Sequence, residues 1–144
     1  MAGSAADGFI IDSTAPGVYS EFNGFAGADS LNAGQTNVRT DGIRGPIAYN
    51  AGADGGTVGV SNTGGFPATA HQTATTIGAF AGDNLFGSGG SLTFSGVTNV
   101  GGNAGVVIGL AANSTIYAQP LSNAQVLVFS SFIFSPPSLS LIHI

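Results

Sequence analysis

The stretch from Ser91 to Phe134 constrains the fold most, because it holds the densest apolar and β-branched residues of the chain. Gly, Asn and Pro cut this stretch into short pieces. Runs of about four to eight such residues between turn-forming residues are typical of β-strands. Elsewhere the polarity comes mainly from Ser, Thr, Asn, Gln and Gly, which favour strands and turns over helix interiors. The sequence therefore predicts an all-β fold.

The turns predict how the strands connect. Asn23-Gly24 favours a two-residue hairpin, and residues 25–34 are predicted to form a loop. The short spacing between turns predicts an antiparallel sandwich or a jelly-roll-like fold with long Gly-rich loops. The alternative is a β-solenoid built from glycine-punctuated rungs, although no fixed period is visible. Strands are predicted at residues 18–22, 36–40, 43–49, 57–61, 92–95, 104–110, 115–117 and, as the longest, 124–134.

The chain divides into three regions by composition. Residues 1–66 form a Gly-rich region of short strands and loops, and residues 67–138 form a β-rich core region. Residues 139–144, LSLIHI, match the translation of a transposon-end adapter used in sequencing libraries. We therefore expect this tail to be an artefact and the sequence to be a metagenomic fragment whose core region is truncated, with a natural protein that continued beyond Ser138.

The charge content excludes several classes of partner. Only 6% of the 144 residues are charged, the net charge is −5, and the basic residues are Arg39 and Arg44. A nucleic-acid binder needs a basic surface to displace counterions from phosphates, and a polybasic lipid site needs the same. No apolar run has the length of a membrane-spanning helix. We therefore expect neither a nucleic-acid partner nor a membrane span.

Candidate chemistry is sparse along the sequence. His71 is the only histidine before the tail, and neither a Gly-x-Ser-x-Gly motif nor a phosphate-binding Gly-Lys-Ser/Thr motif accompanies it. The dispersed acids are interpreted as turn-capping residues. Calcium is a candidate cofactor, because potential oxygen ligands lie in Gly-rich loops. Those calcium candidates are Asp29, Asn32, Asp54, Asp83 and Asn84.

Two further patterns suggest a modification and a ligand. Asn113-Ser114-Thr115 fits the glycosylation sequon of secretory proteins. A Thr-rich stretch suggests ice binding, although its spacing is irregular; its members are Thr69, Thr73, Thr75 and Thr76. We assign no catalytic, cofactor-binding or metal-binding residue from the sequence.

These observations predict a non-enzymatic structural protein of a viral or phage particle, or of another surface assembly. Its location would be the virion, the extracellular space or the cell surface. Its partners would be copies of itself or other subunits of the particle or surface. One alternative is an extracellular adhesin or a carbohydrate- or ice-binding β module. The other is a truncated fragment of a secreted hydrolase.

Overall fold

The structure, a computed structural model, describes residues 3–101, 109–110 and 115–118, and for the last two segments only the backbone. The described part is all-β, as the sequence predicts, and contains eleven strands in two sheets. The strands are β1 (Gly8–Ile11), β2 (Ser20–Asn23), β3 (Asp29–Ala33), β4 (Pro46–Asn50), β5 (Gly56–Asn62), β6 (Thr69–Gln72), β7 (Thr76–Ile77), β8 (Ser91–Ser95), β9 (Val97–Val100), β10 (Gly109–Leu110) and β11 (Thr115–Ala118).

The chain alternates between the two sheets as it advances. The first sheet pairs β1, β3 and β5 in order, and both β9 and β10 pair with β5; every pairing in it is parallel. The second sheet has the order β11-β6-β7-β8-β4-β2. Each coil therefore contains one strand from each sheet: β1 and β2 form the first coil, β3 and β4 the second, and β5 and β8 the third. A parallel bridge from Thr14 to Ile43 joins the first two coils between the sheets.

Rows of apolar side chains across the coils form the core. In the first sheet, the register aligns Phe9, Leu31, Val58 and Val100. In a strand, alternate residues face the same side, so each row lies on one face, and the last three members are fully buried. A row of aromatic residues faces it from the second sheet, formed by Phe22, Tyr49 and Phe94. The interior between the sheets is thus filled by stacked equivalent positions.

The two interior faces touch through aromatic rings. The ring centroids of Phe9 and Tyr49 lie 6.1 Å apart in an edge-on arrangement, and those of Phe9 and Phe22 lie 5.5 Å apart. Tilted and edge-on contacts suit the charge distribution of aromatic rings. Phe9 and Phe22 are only partly buried, because they belong to the first coil and close the interior at that end.

The predicted antiparallel arrangement is not confirmed. Among the described strands, antiparallel pairing occurs only where β7 contacts β6 and β8. The physical reason is that the turns do not reverse the chain within one sheet but carry it to the opposite sheet. Asn23-Gly24 shows this: instead of forming a hairpin, the Gly24 amide donates to the Asn50 carbonyl, 2.8 Å away in the next coil. The hairpin prediction was therefore wrong.

The loop predicted at residues 25–34 was also wrong, because it contains β3. The strand predicted at 36–40 was wrong as well, because these residues belong to the turn and the irregular segment that follow β3. Of the strand predicted at 104–110, residues 109–110 are described and form β10. The strands predicted at 43–49, 57–61, 92–95 and 115–117 are confirmed within a few residues. The strand predicted at 124–134 and the tail at 139–144 lie outside the described residues. The division at residue 66 stays a prediction.

Candidate functional site

The clearest candidate site is a groove across the outer face of the second sheet. It has a volume of about 270 Å³ and crosses β2, β4 and β8. Parallel register places Glu21, Ala48 and Thr93 in one row. The next row contains Asn23, Asn50 and Ser95. The groove therefore has a small residue at its centre and polar groups around it.

Local hydrogen bonds orient the polar groups of this groove. The Asn23 side-chain amide donates to Glu21 Oε1 at 2.9 Å. The Asn50 side-chain oxygen accepts from the Gly52 amide at 3.1 Å. Tyr19 lines the groove and is 60% exposed. This arrangement combines an exposed aromatic ring with an oriented carboxylate and oriented amides.

A histidine–aspartate pair forms the second candidate site. His71 Nδ1 lies 2.6 Å from Asp83 Oδ1, and the Asp83 side chain is only 1% exposed. The same carboxylate accepts from the backbone amides of His71 and Phe80. A buried carboxylate that orients a histidine is one part of a hydrolytic triad. The structure thus gives the only histidine before the tail an orienting acid that the sequence did not indicate.

These same contacts also have a local structural role. The Asn84 amide donates to the Thr69 carbonyl, while the Thr69 amide donates to the Asn84 side-chain oxygen at 2.6 Å. The side chains of Asn84 and Asp83 thereby accept from the amides of Thr69 and His71, on the edge of β6 where β7 pairs only at Gln72. The Phe80 ring packs on His71, with ring centroids 5.0 Å apart. The pair therefore holds the segment after β7 against the sheet.

The structure does not bring the five calcium candidates together. Within the described ranges, no group of three or more histidine or acidic side chains could hold a metal ion. Asp54 Oδ2 accepts from the Gly27 amide, and both oxygens of Asp83 are engaged as described above. Asp29 faces the interior of β3, whereas Asn32, three residues on, lies on its outer side.

Three of the acids instead bind backbone amides of a neighbouring coil, so they do not cap their own turns as the sequence predicts. Asp12 accepts from Thr36, and Asp29 accepts from Asp7. These bonds, like the one from Gly27 to Asp54, join residues 22 to 27 positions apart, which is one coil. Carboxylates that accept backbone amides make stronger hydrogen bonds than neutral acceptors do. They therefore fasten one coil to the next.

The threonines proposed for ice binding serve a turn. The Thr73 hydroxyl accepts from the amides of Thr75 and Thr76 and lies 2.7 Å from the Thr76 hydroxyl. Thr69 belongs to β6. These positions do not form a flat, regular array. The sequon at Asn113-Ser114-Thr115 lies outside the residues whose side chains are described.

Two polar side-chain groups, from Tyr49 and Asp29, also lie in the interior. The Tyr49 hydroxyl and Asp29 Oδ2 are buried without a hydrogen-bond partner in the described part. Burial raises the pKa of Tyr49, and the negative charge of Asp29 raises it further. Since Tyr49 is 1% exposed, its hydroxyl does not reach solvent. We assign it no ligand.

Sequence reasoning missed the groove completely. Its signal was the alternation of polar outer positions in β2, β4 and β8, such as Glu21 and Asn23. This signal has meaning only once the three strands are known to lie side by side. Alternation along one short strand says nothing about which strand is its neighbour.

Comparison with protein-family models, with curated proteins and with solved structures finds no match to this chain. In the described ranges, no helix is long and apolar enough to cross a membrane.

Proposed function

We propose that the chain is a non-enzymatic structural component of a viral or phage particle or of another surface assembly, and that its coils form a parallel β-solenoid. Parallel pairing between successive coils supports the solenoid. A stack of coils is extended by adding further coils, because each coil contacts only its neighbours. This property suits a protein that assembles with others of its kind at a virion or cell surface.

The observation that carries the proposal is the open edge of the first coil. β1 and β2 are the last strands of their sheets at this end, and no other described strand pairs with their outer edges. An unpaired edge presents backbone donors and acceptors to another chain. The partly buried Phe9 and Phe22 lie at the same end of the interior.

The edge lacks the features that usually prevent association. Soluble proteins protect edge strands with Lys, Pro, bulges or inward-pointing charges. β1 has the sequence GFII, without any of these residues, and Ile10 is 57% exposed. β2 carries a single charge at Glu21. A second copy of the chain is the proposed partner, since its strands would continue the interior rows.

A charge on this edge tests the proposal. Ile10→Lys adds an edge lysine, and Gln35→Lys adds the same charge at an exposed turn residue as a control. We expect the unmodified chain and Gln35→Lys to sediment as concentration-dependent oligomers in analytical ultracentrifugation. Ile10→Lys should sediment as a monomer with an unchanged circular dichroism spectrum.

Two results would overturn the proposal. One is a monomeric unmodified chain at every concentration up to the solubility limit. The other is an Ile10→Lys variant that assembles as strongly as Gln35→Lys, which would place the contact elsewhere.

A further inference from the structure

We propose that the groove formed by β2, β4 and β8 binds a neutral oligosaccharide. This inference goes beyond the structural function proposed above and does not depend on it. The groove lies on the outer face of the second sheet, whereas assembly would use the edge of the first coil. The two activities can therefore be tested separately.

The shape of the groove fits an extended chain of sugar rings. Neighbouring strands in a sheet lie about 4.7–4.9 Å apart, which is close to the length of one pyranose unit. The groove crosses three strands, so it spans about 10 Å between the outer two. Ala48 lies in the middle row between Glu21 and Thr93, and its small side chain gives the groove its depth.

The polar groups match the hydroxyls of a sugar. Glu21 is an acceptor, the amides of Asn23 and Asn50 offer donors and acceptors, and hydroxyl side chains can act as either. The bonds from Asn23 to Glu21 and from Gly52 to Asn50 orient these groups before a ligand arrives. Such preorganisation lowers the entropy that binding must overcome. The remaining polar lining residues are Thr93 and Ser95.

Tyr19 supplies the apolar contact that a sugar ring requires. It lines the groove, is 60% exposed and does not belong to the hydrophobic core. Aromatic rings offer large, rigid contact areas with few rotatable bonds. The C–H face of a pyranose packs on such a ring, while its hydroxyls reach the polar rows.

Charge selects a neutral ligand over an anionic one. Among the described residues that line the groove, Glu21 is the only acidic one and none is basic. An anionic sugar would therefore meet a negative charge without a compensating cation, which disfavours binding. A neutral oligosaccharide donates hydroxyl hydrogen bonds to the carboxylate instead.

Isothermal titration calorimetry with defined hexasaccharides tests the proposal. Cellohexaose, maltohexaose and xylohexaose are the neutral probes, and hexagalacturonate is the anionic one. We expect saturable binding of at least one neutral probe and weaker or absent binding of hexagalacturonate. Binding should persist in Ile10→Lys, so a failure of the assembly proposal would leave this result intact.

Variants locate the site. Tyr19→Ala should weaken binding about tenfold, as expected for loss of an aromatic contact. Phe66→Ala is the matched control, because Phe66 is also an exposed aromatic residue but lies outside the groove. Ala48→Leu fills the centre of the groove and should abolish binding without changing the core. Chemical-shift or circular dichroism spectra confirm that each variant is folded.

Three results would overturn the proposal. The first is no heat of binding with all three neutral probes. The second is tighter binding of hexagalacturonate than of any of them. The third is equal affinity in the unmodified chain, Tyr19→Ala and Ala48→Leu, which would place binding outside the groove.

Discussion

The first two coils and the segment between β5 and β8 satisfy their backbone in different ways. In the first two coils, hydrogen bonds run from strand to strand across the stack, and the interior holds aligned apolar rows. Between β5 and β8, Thr73, Asp83 and Asn84 provide side-chain acceptors for nearby backbone amides. This contrast shows that an inserted segment can join a regular stack if polar side chains bind the backbone amides that its short strands leave unpaired.

The length of each coil reflects the same contrast. A bond between the first two coils joins Asp7 and Asp29, 22 residues apart, and a bond between the second and third joins Gly27 and Asp54, 27 residues apart. A bond between the third coil and β9 joins Gly56 and Thr98, which are 42 residues apart. The extra length is the segment that contains β6 and β7. Both sheets continue beyond it, since β8 pairs with β4 and β9 with β5.

The largest effect is expected from breaking an interior row. Leu31→Ala removes a fully buried side chain from the row that contains Phe9 and Val58. Such a substitution costs about 2–5 kcal/mol, because it loses apolar burial and leaves a cavity. Val18→Ala is the control, since Val18 is 52% exposed. Urea denaturation measures both.

This expectation would be contradicted if Leu31→Ala changed the free energy of unfolding no more than Val18→Ala does. That result would mean that the rows do not carry the stability of the stack.

An intermediate effect is expected in the inserted segment. Asp83→Ala removes the acceptor of two backbone amides and of the His71 ring from a buried position. Unpaired buried donors cost about 1–3 kcal/mol. The loss should be local: hydrogen exchange should accelerate at the amides of His71 and Phe80. Protection between β3 and β5 should remain.

Asp54→Ala is the control for this substitution, because it removes a single exposed amide–carboxylate bond to Gly27. Uniform acceleration of exchange in all strands of Asp83→Ala would contradict a local role. The inserted segment would then be as integral to the stack as the coils are.

The strands were predictable from the sequence to the extent that their own residues are apolar. β5 and β8 contain alternating apolar residues and were predicted correctly. β3, with the sequence DSLNA, has only two apolar residues and was missed. It is a strand because β1 and β5 pair with it on both sides. The residues of β3 alone therefore do not predict a strand, because the strand depends on its pairing with β1 and β5.

The parallel arrangement was harder to predict for a related reason. Short strands separated by turns are common to a meander and to a solenoid, and only the direction after each turn differs. The unequal coil lengths removed the fixed period that would have identified a solenoid. The candidate groove could not be predicted either, because its residues come from three strands that are distant in sequence and whose order in the sheet was unknown. The buried Asp83 beside His71 was likewise invisible, since twelve residues separate the two.

The smallest effect, and a stabilising one, is expected at the turn where the regular coils meet the inserted segment. Val38 has a positive φ of 51°. A β-branched residue in this left-handed region is strained by about 1–2 kcal/mol. The Val38 carbonyl accepts from the Gly64 amide at 2.9 Å, which fixes the backbone in this conformation.

Val38→Gly relieves that strain and keeps the carbonyl bond to Gly64. Because glycine also gains entropy in the unfolded chain, the net stabilisation should be below about 1 kcal/mol. Val18→Gly is the control at an exposed valine without a positive φ, and it should be neutral or destabilising. Thermal unfolding of the two variants gives the comparison. A lower melting temperature for Val38→Gly would mean that losing the Val38 side chain costs more stability than the relief of backbone strain provides.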